Sequence, residues 1–144
     1  MNVQSIIGSK GADVATITQT ATLGDVVRVL GERGIGALVV SGDGNAIEGI
    51  ISERDVVAAA SRAGAACLDA HVGSSMSTDV ITCSPGDGVD QLMSLMTDRR
   101  IRHLPVVDDQ GHLAGIISIG DVVKSRLAQL EHENRALSDY ISGH

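Results

Sequence analysis

The sequence predicts an α/β fold: two tandem β-α-β-β-α units packed as a pseudo-two-fold pair, with a long C-terminal helix. Three observations carry this. Residues 13–57 align with residues 79–123 at an offset of 66 without a gap, and 15 of 45 positions are identical, including GIIS at 49–52 and 115–118 and DVV at 55–57 and 121–123. Each copy alternates short β-rich runs with amphipathic helical stripes. From Asp121 to about Tyr140 the chain contains neither Gly nor Pro. The boundaries that follow are 1–66 for the first repeat, 67–126 for the second and 127–144 for a helical extension.

Within each copy the elements read in the same order. A short apolar run, VATI or VITC, leads through a polar turn into a helix. In the first copy Thr22 is the N-cap, with Asp25 three residues on as an acidic capping box. Leu23, Val26, Val27 and Leu30 form the stripe, and Gly31 and Gly34 mark its end. Val89, Leu92, Met93 and Met96 repeat that stripe in the second copy. Two β runs follow, IGALVV and AIEGIIS or IRHLPVV and HLAGIIS, joined by the turns SGDGN and DDQG. A second helix begins at Asp55 or Asp121, where a carboxylate can cap free amides. Residues 58–78 are read as a structured connector with a stop at Gly64. A weaker match upstream pairs Val3 and Ile7 with Val72 and Met76, with three extra residues in the first copy around Ser9–Ala12. One unit with an uncovered sheet face buries too little apolar surface alone, so the two copies should pack together and leave a cleft between them.

Composition excludes several classes of function. The chain has 144 residues, 11 Lys and Arg against 18 Asp and Glu, a net charge of −7, no Phe or Trp and one Tyr. The charge has the wrong sign, and the stacking aromatics are missing, for a nucleic-acid or anionic-membrane binder. Cys67 and Cys83 form no CxxC, and no window approaches the roughly 18 apolar residues of a membrane span. A cytoplasmic protein with no nucleic-acid or membrane partner is the expectation. Catalysis is not indicated: GIISIG is not a nucleophile elbow, no phosphate loop occurs, GERGIG ends a helix instead of following a strand, and the five histidines lack metal-ligand spacing. No catalytic cofactor is expected.

The motifs IRHLPVVD at 101–108, GIISIGD at 115–121, GIISERD at 49–55 and DVITCSPGD at 79–87 resemble the cystathionine β-synthase (CBS) domain pair, or Bateman module. The likeness covers residues 1–126, and the absence of an attached catalytic domain makes the chain look like a stand-alone member. The resemblance implies a regulatory module that takes an adenine nucleotide, AMP first, with ADP, ATP, NAD(H) or S-adenosylmethionine as alternatives, and alters a partner or its own assembly. The competing expectation is a nucleotide-free interaction scaffold acting through the C-terminal helix.

By that resemblance Asp55 and Asp121 would hold ribose, with Ser52 and Ser118 near phosphate. An ionised Asp only accepts hydrogen bonds and suits two ribose hydroxyls, while a hydroxyl and helix N-terminal amides suit phosphate oxygens. The plainer alternative is that these residues only cap their helices. Arg100, Arg102 and His103 belong to the densest positive cluster, and Arg54 stands where the second copy has Gly120; each Arg either offers bidentate donors to phosphate or is a solvated surface charge. Adenine is expected among Val80, Ile81, Thr82 and Cys83, with Ser84 following. Ile17, Thr18 and Ala37 are the first-copy pocket positions. The second repeat, with Ser118 and Asp121, is expected to be the stronger site, because the first has Gly34 and Gly36 in place of Arg100 and Arg102.

Val123, Leu127, Leu130, Asn134, Leu137 and Ile141 recur at spacings of 4, 3, 4, 3 and 4, a heptad-type seam. A helix of roughly 20 residues spans about 30 Å, more than one small unit needs. Self-association into a homodimer is the expectation, with an unknown protein partner or a fold back onto its own domain as alternatives.

Overall fold

The computed structural model describes residues 1–142; the last two residues of the predicted extension, and with them His144, lie outside the described residues. The order is α1 (Val3–Lys10), β1 (Thr16–Ile17), α2 (Leu23–Arg33), β2 (Ala37–Val40), β3 (Gly49–Ser52), α3 (Glu53–Ala63), two 3-10 turns (Gly64–Asp69 and Val72–Ser74), α4 (Val89–Arg99), β4 (His103–Val107), β5 (Leu113–Ser118) and α5 (Ile119–Ile141). The two tandem units and the long terminal helix are those the repeat predicts.

Register confirms the repeat at the level of single residues. In the first half β1 runs parallel to β2, and β2 runs antiparallel to β3 with Leu38 opposite Ile51. In the second half β4 and β5 are antiparallel with Leu104 opposite Ile117, the same pair 66 positions on. The opening strand is weaker than VITC suggests. Cys83 makes one isolated parallel bridge to Val106, where Ile17 pairs with Val40. The cause is local: the Ser84 amide donates to Asp87 Oδ2 at 2.9 Å, so the chain turns away from the sheet at once.

Helix α2 begins as its sequence dictates. The Asp25 amide donates to Thr22 Oγ1 and the Thr22 amide donates to Asp25 Oδ2, closing the capping box. Its end at Gly34 is left-handed, with φ 63°. The equivalent end of α4 is also left-handed, but the residue there is Arg100, with φ 53°, the one non-glycine residue of positive φ among those described. A side chain in that conformation costs about 1–3 kcal/mol and marks a position whose local strain the surroundings overrule.

The two cores trade segments. Val3, Ile6 and Ile7 of α1 are buried with Val89, Leu92, Met96, Leu104 and Ile117 of the second half. Cys67, Val72 and Met76 of the connector pack with Leu23, Val26, Leu38 and Ile51 of the first. Packing therefore crosses the chain division at residues 66 and 67. The upstream match of Val3 and Ile7 with Val72 and Met76 is thus a structural equivalence, with the α1 segment completing the second core and the connector segment the first. The contact is close: a Cβ on Gly115 would come within 2.6 Å of Ile7 Cδ1.

Helix α5 leaves the body after its first turns. Val122 and Ser125 are buried, whereas Leu127 and Leu137 of the heptad seam are 56% and 58% exposed, and Tyr140 is 82% exposed. The seam does not fold back over its own domain.

Candidate functional site

Two clefts open between the halves, separated by a ridge of Gly36, Glu53 and His103 that borders both. Each is built where a β-strand delivers a serine to a helix N-terminus. In the smaller cleft, about 230 Å³, β3 ends in Ser52 and α3 begins, and the opposite wall is the Arg100–His103 segment between α4 and β4. In the larger, about 710 Å³, β5 ends in Ser118 and α5 begins, and the opposite wall is Asp13–Ala15 with the Gly34–Ala37 segment.

Both serine–aspartate pairs are engaged locally. The Ser52 amide and hydroxyl donate to Asp55 Oδ2 at 2.9 and 3.1 Å. The Ser118 amide donates to Asp121 Oδ2 at 2.9 Å, and Ser118 Oγ accepts from the Asp121 amide at 3.1 Å. These are helix caps, so the plainer alternative is geometrically present. It does not exhaust either carboxylate. Every bond the two carboxylates accept falls on Oδ2, and Oδ1 of Asp55 and of Asp121 accepts from no donor among the described residues.

Electrostatics separate the two clefts. Arg54, Arg100 and Arg102 face Glu53 and Asp55 in the smaller one. Arg54 Nη1 donates across the seam to the Arg100 carbonyl at 3.2 Å, so the guanidinium belongs to the first half and its anchor to the second. No salt bridge engages these arginines among the described residues. In the larger cleft Lys10 Nζ donates to Asp121 Oδ2 at 2.7 Å and to the Ile116 carbonyl at 3.1 Å. Burial opposes ionisation of Asp121, but the Lys10 and Ser118 donors outweigh it and hold the carboxyl below its usual range. His103 is pushed the other way. Burial lowers its pKa, against the pull of Glu53 and Asp121, and so favours the neutral imidazole on the ridge.

The structure regroups the residues expected from sequence. Ser52, Arg54, Asp55, Arg100, Arg102 and His103 meet in the smaller cleft, and Ser118, Asp121, Ala37 and His103 in the larger. Arg100 and Arg102 therefore face Asp55 of the first repeat, not Asp121 of their own. The stretch Val80–Cys83, expected to hold adenine beside Asp121, lines neither cleft. Cys83 is buried in the second core, where burial and then the Asp87 charge push its thiol up to about 12. Thr82 and Ser84 are exposed; Ile17 packs on the first core and Thr18 faces solvent. The reason is the traded segment: the chain leaving α1 crosses from the second core to the first, so the approach to β1, not the approach to Cys83, runs past Asp121.

Lys10, Asp13 and Glu53 were not legible as cleft residues. Lys10 falls among the three extra residues that interrupt the upstream match, where no repeat partner exists to flag it. No sequence signal joins Lys10 to Asp121, which lies 111 positions away along the chain.

Comparison with known proteins agrees with this architecture. The CBS domain family matches at residues 7–62 and again at 70–128. The mitochondrial CBS domain-containing protein CBSX3 of Arabidopsis thaliana is 37% identical over 149 residues, covering 98% of this chain and 72% of its own. A crystal structure of a CBS-domain containing protein from Agrobacterium tumefaciens is 42% identical with a TM-score of 0.84, covering 88% of this chain and 99% of its own. A protein with CBS domains from Burkholderia ambifaria is 38% identical with a TM-score of 0.83, over 89% and 95% of the two chains. With both repeats matched, the same paired architecture and the two Ser-x-x-Asp clefts at its seam, the chain belongs to the CBS domain family and is a tandem CBS pair.

Proposed function

We propose that this protein is a regulatory module, not an enzyme, that takes an adenine nucleotide such as AMP in the Asp55 cleft and converts its binding into a change in how the halves sit together. One observation carries the reading: three guanidinium groups converge with the N-terminus of α3 and the free Oδ1 of Asp55 at the seam between the halves. Asp55 Oδ1 accepts from the ribose hydroxyls. The phosphate meets Arg54, Arg100 and Arg102 and the amides that open α3. Because Arg54 comes from one half and the Arg100–Arg102 segment from the other, a phosphate bound among them bridges the halves and favours their closed arrangement. At a concentration about 100 times its dissociation constant, AMP would stabilise the fold by about 2.7 kcal/mol. A thermal-shift titration with AMP, ADP, ATP, NADH and S-adenosylmethionine tests this. A rise in melting temperature with AMP is expected; no rise with any of the five returns the protein to the scaffold alternative.

The second half of the proposal is assembly. Val123, Leu127, Leu130 and Leu137 stand exposed at heptad spacing on a 23-residue helix, a surface that a second copy of α5 covers. We assign the homodimer to this seam, with Asn134 setting register. Leu130→Asp together with Leu137→Asp is expected to convert a dimer to a monomer in sedimentation, with the melting temperature of the globular part held within a few degrees. A dimer that survives both substitutions places the interface elsewhere.

A further inference from the structure

We propose that the two clefts divide ligands by charge, the Asp121 cleft taking an adenosine-type ribonucleoside that carries no phosphate while the Asp55 cleft takes the phosphorylated form. The proposal rests on the nucleotide reading above and extends it to the second site.

The argument starts from what each wall offers an anion. The Asp55 cleft sets three arginines against two carboxylates. The Asp121 cleft reverses this, with Asp13, Glu53 and Asp121 against Lys10 and Arg33. The Lys10 ammonium is already paired with Asp121 Oδ2 and the Ile116 carbonyl, so its charge is largely offset and one N–H remains to meet a phosphate. Arg33 stands exposed at the rim. The repeat explains the difference: Gly34 and Gly36 line this cleft where Arg100 and Arg102 line the other. A phosphate dianion entering here would lose its water and meet more negative charge than positive.

An uncharged nucleoside meets no such barrier. Asp121 Oδ1 remains an open acceptor for a ribose hydroxyl, and its partner oxygen is held in place by two donors. Val14, Ala15, Ala37 and Ile116 supply apolar walls for a planar base. The volume of about 710 Å³ lies within the range of small-molecule sites. Lys10 makes the site selective twice over: it orients Asp121, and its charge is offset by that carboxylate at 2.7 Å, which leaves little net attraction for a phosphate.

Adenosine and AMP share base and ribose and differ only in the phosphate, so calorimetry with the two on the full chain is the test. Adenosine is expected to bind the wild-type protein and to bind equally well when AMP is present at saturation. Asp121→Asn, which keeps an acceptor for the Ser118 amide, should weaken adenosine about tenfold or more and leave AMP within about twofold. Arg100→Gly with Arg102→Gly should do the reverse. Competition between adenosine and AMP in the unaltered protein overturns the division without recourse to any variant, as does equal loss of both ligands in Asp121→Asn. Binding of AMP alone overturns the division and leaves the nucleotide reading standing. Failure of both ligands to bind overturns both.

Discussion

With Arg100 and Arg102 both replaced by glycine, AMP affinity is expected to fall about 10- to 100-fold while the melting temperature holds or rises. The substitutions install the residues that the first repeat carries at the same positions, Gly34 and Gly36. Each guanidinium that donates to a phosphate is worth about 1.5–3 kcal/mol; losing two would cost about 3–6 kcal/mol, and recovery of about half through Arg54 and water leaves about 1.4–2.7 kcal/mol, the range stated. Stability moves the other way. Arg100 sits at φ 53°, the conformation that Gly34 occupies without cost, and relieving it should return about 1 kcal/mol. Both arginines are exposed and neither is in a salt bridge among the described residues, so no core contact is lost. Calorimetry for affinity and a thermal melt for stability check the two signs independently. Unchanged affinity would show that the strain at Arg100 serves something other than an anion in this cleft.

Ile6→Ala is expected to loosen the second half of the molecule, about a hundred residues away in sequence, and not the first. Ile6 is 7% exposed and belongs to the cluster of Leu104, Ile117 and Val122. Truncating such a side chain removes transfer free energy and leaves a cavity, at a cost of about 2–5 kcal/mol. For a chain of this size that lowers the melting temperature by about 5–15 °C. Native-state hydrogen exchange gives the sharper readout: amides of β4, β5 and α4 should lose protection, while those of β2 and β3 keep most of theirs. Loss confined to β1, β2 and β3 would mean that packing follows the chain division at residue 66 after all. The same variant should disturb the Asp121 cleft, because Ile6 and Ile7 anchor the helix that presents Lys10.

The helix caps show how far local chemistry can be read and where it stops. Thr22 with Asp25, and Ser118 with Asp121, are capping boxes in the sequence and in the structure, since a cap needs only residues three apart. The same logic identified Ser52 and Asp55. It could not say which arginines those carboxylates would meet. Arg102 and Asp121 lie in the same repeat, yet Arg102 lines the cleft of Asp55, because proximity in the chain is not what sets the cleft.

The 66-residue offset determined the two-unit architecture, the hairpins joining β2 to β3 and β4 to β5, and the apolar stripes of α2 and α4, since periodicity and turn residues act over a few positions and repeat with the unit. The heptad spacing of α5 likewise announced a seam. Only the tertiary structure decided that α1 serves the second core and the connector the first, that Arg100 and Arg102 confront Asp55, and that Lys10 closes on Asp121. Those outcomes follow from burying apolar area, which is non-directional and indifferent to separation along the chain. A helix goes to whichever face it covers best, and the polar residues on the segment behind it are carried to whatever stands opposite.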